Sequence, residues 1–409
     1  MEIDVRKTTP TGRAKRPYPP CEMPANQYIT AFRKRPKKQS GRPMRGLYRA
    51  GNVQDQSTGS SMRYKDVCIE AIGYVLPERR ISSAAIEKWL RPVYERLRLP
   101  EGRLELMTGI RERRFWHHGI RPSEVSAQAG QCALRKAGLQ PGDIGCLMHC
   151  SVSRDFVEPA TSTVVHKLLK LPSSALNFDI SNACLGVVTG MMMMANMIQL
   201  GQIETGVIVS GEHAGPLVEG TVERLLNDPD LTRRSIKSQV ASLTIGSAAA
   251  AVVMTHADKS RTGHRMLAAA HCTDTSFNHL CQGNSDCGMN DNTDVCMNTD
   301  SHELMVRGIE VAAQTWDLLQ GEIGWGRDTP DAICGHQVGK AHRQALYERL
   351  GLDVAKDFST YEFLGNCGSA SLPVTAALAE EAGRLKAGDD VALLGIGSGI
   401  NCAIIAAKW

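Results

Sequence analysis

From Tyr64 to the C-terminus, apolar runs of strand length alternate with longer helical runs, and that alternation leaves few folds open. Asp66-Val-Cys-Ile-Glu-Ala-Ile-Gly-Tyr74 alternates like a strand, and Ser82 caps a helix running through Trp89. A short helix near Leu104 to Met107 follows, then a mixed charged and aromatic strand or loop over Ile110 to Trp116. The pattern next predicts a helix over 122–138, a buried strand over 144–152 and a helix ending at Leu171. It continues with a buried strand over Ala175 to Ser181, a buried helix from Cys184 to Leu200 and a strand over 206–210. Ser242 to Met254 closes a first half. The second half repeats the rhythm, with strands at 265–271, 331–334, 390–395 and 400–407 and helices at 302–322, 340–350 and 371–386. Strands that alternate with helices predict an α/β protein with a largely parallel sheet covered on both faces.

Residues 1–61 break the pattern. They hold seven of the 18 prolines and thirteen Lys and Arg against four Asp and Glu, with no apolar period. Such a segment buries too little surface to offset its ordering entropy, so a disordered basic extension is expected over 1–61. The globular halves are then 62–255 and 256–409. The extension accounts for more than the whole net charge of +4, which leaves a mildly acidic body and weakens any case for nucleic acid binding. A tail that binds nucleic acid, a solvated tail and a start at Met62 remain the alternatives for this segment. The 13 cysteines are odd in number, and several lie inside apolar runs (Cys146, Cys150, Cys334, Cys402). That usage predicts a reducing cytoplasm and no disulfide framework. No apolar stretch is long enough for a membrane span, so no transmembrane segment is expected.

Within this frame Ser181-Asn182-Ala183-Cys184-Leu185-Gly186 places a cysteine at a strand-to-helix junction. The free N–H groups and the dipole of a helix N-terminus favour the thiolate, the nucleophilic form, although most cysteines in such runs are small hydrophobes. His336, in Asp331-Ala-Ile-Cys-Gly-His336-Gln, follows a strand and precedes a helix, so it lies at a strand's C-terminal edge, where sites of open α/β sheets gather. Asn366, in Gly365-Asn366-Cys-Gly-Ser-Ala-Ser371, offers amide donors on a small-residue loop, or simply marks a tight turn. Gly397-Ser398-Gly399 lies between two apolar strands and lacks the Lys and the following helix of a phosphate loop. It suits a backbone N–H donor to an oxyanion. Glu158, in Val157-Glu158-Pro159, is either a general base or a helix N-terminal charge beside a proline. Cys272, Cys281, Cys287 and Cys296 lack the close pairs of a zinc site, so no metal is expected.

Taken together, Asn182-Ala183-Cys184, Gly335-His336-Gln337, Gly365-Asn366-x-Gly-Ser-Ala-Ser-x-Pro373 and Gly397-Ser398-Gly399 resemble the ketoacyl synthase III branch of the thiolase superfamily over residues 62–409. Val157-Glu158-Pro-Ala-Thr and Gly397-Ser-Gly-Ile-Asn-Cys402 look most like its head-to-head acyl-condensing enzymes, the OleA type. The resemblance implies a five-layer αβαβα fold from two similar halves and a homodimer. It also implies an acyltransferase that joins two fatty acyl-CoA molecules by a non-decarboxylative Claisen condensation, giving a 2-alkyl-3-ketoacyl product. Cys184 would carry the acyl group, His336 and Asn366 would hold the enolate oxygen, and the N–H groups of Cys184 and Ser398 would form the other oxyanion hole. Glu158 would reach into the partner subunit's site as base. Acyl-CoA or acyl carrier protein thioesters serve as substrates, and no cofactor is implied. A reductase, a lactone-forming ligase and a hydrolase would act downstream. The rivals are a decarboxylating 3-oxoacyl synthase III that uses malonyl carrier protein, which needs no carboxylate base, and an enzyme similar to HMG-CoA synthase.

Overall fold

The computed structural model describes residues 59–283, 297–326 and 328–409. The expected extension over 1–58, and Cys287 and Cys296 of the cysteine-rich stretch, lie outside these. In chain order the described residues form β1 (Gly59–Arg63), β2 (Val67–Val75), β3 (Arg79–Ser82), α1 (Ser83–Trp89), α2 (Arg91–Leu97), α3 (Arg103–Thr108), β4 (Glu112–Phe115), α4 (Pro122–Ala137), β5 (Cys146–His149), α5 (Thr161–Leu169), β6 (Leu176–Asp179), α6 (Gly186–Gln199), β7 (Thr205–Glu212) and α7 (Gly215–Asn227). There follow α8 (Val240–Leu243), β8 (Ala248–His256), β9 (Arg265–Thr273), β10 (Cys281–Gly283), β11 (Met297–Thr299), α9 (Ser301–Ile323), β12 (Ala332–Gly335), α10 (Lys340–Leu350), α11 (Tyr361–Leu364), α12 (Ser371–Glu381), β13 (Asp390–Gly397) and β14 (Asn401–Lys408).

The strand order is β12-β13-β14-β9-β2-β8-β7-β5-β6, with β1 on β9. β2 and β9 meet only at Cys68 and Arg265, so two groups of five strands join at one residue pair. An apolar core lies between the groups, around α6 and α12: Met148 and Ile208 of the first group and Leu393 and Ile405 of the second share it with Val188, Met191 and Ala376. α4 and α5 cover the outer face of the first group with a second core. α9 and α10 cover the outer face of the second with a third. These are the five layers, helix–sheet–helix–sheet–helix. Small residues let them close: β8 opens Ala-Ala-Ala-Ala, and a Cβ on Gly73 would lie 2.3 Å from the backbone N of Ala133 in α4.

Three expectations need correction. The sheet is not largely parallel: only β5–β6, β5–β7 and β12–β13 run parallel, and the other pairings are antiparallel, as in β13–β14. Their connection, Ser398 to Ile400, is too short for a crossover. The globular region begins before Met62, because Gly59 to Arg63 pair with Cys272 to Ala268. Gly-Ser-Ser has no apolar period; backbone pairing carries it, with Ser61 Oγ donating to Glu322 at 2.7 Å. Met62 and Arg63 therefore join the sheet of the second half, not the first. Finally, the strand before Cys184 is not buried. β6 is a sheet edge, with Leu176 51% exposed.

Candidate active site

His336 and the Gly397-Ser398-Gly399 turn lie at the C-terminal ends of β12 and β13, and Cys184 lies in the turn that leads into α6. Ala183–Leu185 form one 3-10 turn that leads into α6. Ala183 has φ +44°, a left-handed conformation that non-glycine residues seldom adopt. A Cβ on Gly397 would lie 3.6 Å from the backbone N of Cys184, so the end of β13 touches the cysteine turn. β12 runs parallel to β13, with Gly335 opposite Leu394, and the N–H of His336 donates to Leu394 O at 2.8 Å. His336 and the Gly397-Ser398 turn thus leave the sheet at the same edge.

Asn366 enters from a different loop. Its backbone N–H donates to Thr244 O at 3.1 Å, and its carbonyl accepts from Gly246 N–H at 2.9 Å. Its side-chain oxygen accepts from Gly368 N–H at 2.9 Å, so the loop uses the oxygen and the NH2 end remains for a ligand. Ser369, two residues on from Cys367, accepts from the N–H of Val187 in α6 at 2.8 Å. That bond fastens the Asn366 loop to the nucleophile helix. Gln337 ties His336 to the same assembly. Its NH2 donates to Gly335 O at 2.6 Å, and its oxygen accepts from Thr360 N–H at 2.8 Å and Tyr361 N–H at 3.0 Å, at the head of the helix that leads into Asn366.

Glu212, at the end of β7, is a site residue that sequence reasoning missed. It is buried, and its carboxylate accepts from the N–H groups of Val152 at 3.0 Å, Ser153 at 3.1 Å and Ser369 at 3.1 Å. It joins the loop that carries Glu158 to the loop that carries Asn366. The only signal was a carboxylate ending an otherwise apolar strand.

The electrostatics reverse one expectation. Burial, then the Glu212 carboxylate, then Cys281 push the Cys184 thiol up to about 12, against a smaller favourable contribution from its own backbone N–H. Helix-end amides are present, but desolvation outweighs them, so the resting residue is a thiol. Alkylation of Cys184 by iodoacetamide is therefore expected to rise about tenfold per pH unit from pH 7 to 10. Peptide mass spectrometry would follow it, and a plateau near the ordinary cysteine value would contradict the buried-thiol state. Burial, with His342 beside it, pushes His336 down to about 3. The imidazole is thus neutral at pH 7 and able to donate one N–H without carrying charge.

Glu158 stands apart, exposed on the loop between β5 and α5, beside exposed Phe156 and Val157. Among the described residues no group of three or more His, Cys, Asp or Glu is arranged to hold a metal ion, and no helix is long and apolar enough to cross a membrane.

Residues 178–275 match the model of the 3-oxoacyl-[acyl-carrier-protein] synthase III family, and 321–409 match that of its C-terminal region. The chain is 38% identical to the acyl-CoA:acyl-CoA alkyltransferase of Shewanella oneidensis, over 85% of this chain and 100% of that protein. It is 24% identical to a beta-ketoacyl-[acyl-carrier-protein] synthase III of Cereibacter sphaeroides, over 83% of this chain and 98% of that one. A crystal structure of a histidine-to-alanine variant of Xanthomonas campestris OleA superposes with a TM-score of 0.79 at 34% identity, covering 85% of this chain and all of that one.

Proposed function

The chain belongs to the ketoacyl synthase III branch of the thiolase superfamily, and on that premise we propose that it condenses two fatty acyl-CoA molecules head to head. The 38% match over the whole of an acyl-CoA:acyl-CoA alkyltransferase and 85% of this chain, against 24% to a carrier-protein synthase III, carries this reading. Cys184 attacks the first thioester carbonyl, CoA leaves, and the thiol proton ends on the CoA sulfur. Glu158 takes an α-proton from the second acyl-CoA. The resulting enolate oxygen accepts from the neutral His336 imidazole and the Asn366 NH2. The carbanion attacks the acyl group on Cys184, whose carbonyl oxygen is stabilised by the N–H groups of Cys184 and Ser398, with Gly397 and Gly399 leaving the backbone open there. Collapse expels the Cys184 sulfur, which regains a proton, and releases a 2-alkyl-3-ketoacyl product. A thioester α-proton is only weakly acidic, so a base and paired donors on the enolate are both required.

The reading includes a cytoplasmic homodimer without a cofactor, in which Glu158 serves the partner's site. The exposed Phe156 and Val157, and the exposed Leu176 of β6, the edge strand among the described residues, support it, because a second copy would cover them. Long-chain acyl-CoA alone should yield free CoA and a doubled-chain ketoacid or ketone by mass spectrometry. Turnover only after malonyl carrier protein is added would favour the decarboxylating synthase instead. A reductase, a lactone-forming ligase and a hydrolase are the downstream partners to test for.

A further inference from the structure

Asn401 opens β14 immediately after the Ser398 turn and joins that turn to the one bearing Cys184. Its NH2 donates to Asn182 Oδ1 at 3.1 Å and to Ser398 O at 3.4 Å. Its own oxygen accepts from Thr273 Oγ1 at 2.9 Å, on the neighbouring strand where Asn401 and Thr273 are paired. Asn182 donates in turn to Thr189 Oγ1 at 2.9 Å, inside α6. A side-chain chain therefore runs from β9 through β14 to α6, and its link at Asn182 is two residues before Cys184. The turn it grips is strained, since Ala183 holds φ +44° between Asn182 and Cys184. The opposite turn is shaped around it as well: Gly399 holds φ +136°, and a Cβ there would lie 2.6 Å from Asn401 Nδ2.

We propose that Asn401, acting through Asn182, is a positioning residue that sets the spacing between the N–H groups of Cys184 and Ser398. This rests on the proposed function, in which those two donors take the carbonyl oxygen of the Cys184 thioester. Paired donors lower a barrier only when both reach the same oxygen, and small displacements cost rate steeply. One amide holding both turns fixes that spacing. Without it, Asn182 keeps only its side-chain bond to Thr189, and the Ser398 carbonyl loses its bond to Asn401.

The test separates oxyanion geometry from nucleophile integrity. Rapid-quench measurement of the first equivalent of CoA released from a long-chain acyl-CoA reports acylation. Alkylation of Cys184 by iodoacetamide at fixed pH reports the thiol alone, because that reaction builds no oxyanion. Asn401→Ala and Asn182→Ala should each slow acylation roughly 10- to 100-fold, while alkylation stays within about threefold. The double variant should lose no more than about threefold beyond the slower single variant, since both remove one link. Asn401→Asp is isosteric and still accepts from Thr273 but cannot donate, so it should match the alanine variant and carries the test if that variant fails to fold. Unchanged acylation in Asn401→Asp, equal losses of acylation and alkylation, or losses that multiply in the double variant would each overturn the proposal. Acylation precedes both the condensing and the decarboxylating reactions. Wild-type product identity therefore judges the function, and the variant rates judge Asn401.

Discussion

Cys184→Ala is expected to cut formation of the condensed product by at least about a thousandfold, because removing a nucleophile that acts as one unit with its oxyanion hole removes nearly all of their joint effect. Intact-protein mass spectrometry gives the sharper reading. Wild-type protein incubated with a long-chain acyl-CoA should gain one acyl mass, and the variant none. Cys281 makes this more than a formality. It lies near enough to Cys184 to raise its thiol, and it is itself only half-buried. If the alanine variant still acquires an acyl group, the nucleophile is another cysteine and the site has been centred wrongly. The substitution removes a single sulfur and leaves the backbone unchanged, so the melting temperature should move by no more than a few degrees. A loss of activity then cannot be assigned to unfolding.

How much of this was legible in the chain differs from element to element. The places of Cys184, His336 and Ser398 could be read because each follows or precedes an apolar strand, and strand ends are where a sheet exposes backbone to a ligand. The pairing that brings His336 to Leu394 and Gly397 to Cys184 is long-range, and no local pattern encodes it. For the same reason Glu212 was invisible: its importance comes from three amides on two distant loops, not from its neighbours in sequence. The thiolate expectation failed because a helix start can be read locally, whereas desolvation depends on everything packed around it. The β6 expectation failed for a related reason. Leu176 and Phe178 are apolar as a buried strand requires, but among the described residues β6 has a strand neighbour on one side only. Apolar sequence reports that a surface will be covered, not that its own chain covers it.

Glu158→Gln is expected to leave the first step intact and abolish the second. Acylation of Cys184 needs no carboxylate base, so one equivalent of CoA should appear and turnover should then stop. Loss of a general base in carbanion formation corresponds to roughly 100- to 10,000-fold in steady-state rate. The loop geometry makes a stronger test available. Glu158 is exposed on the loop between β5 and α5, beside exposed Phe156 and Val157. If it serves the partner, subunits carrying only Cys184→Ala and subunits carrying only Glu158→Gln should complement each other. In a mixed dimer one site receives both defects, and the other receives an intact cysteine and an intact glutamate. Random assortment makes about half the dimers mixed with one working site in each, so co-expressed subunits should recover roughly a quarter of wild-type activity. Should Glu158 serve its own chain's site, every site in the mixture carries a defect and no activity returns. Should Glu158→Gln alone keep turning over, carbanion formation does not depend on this carboxylate, and a decarboxylating route becomes the better reading.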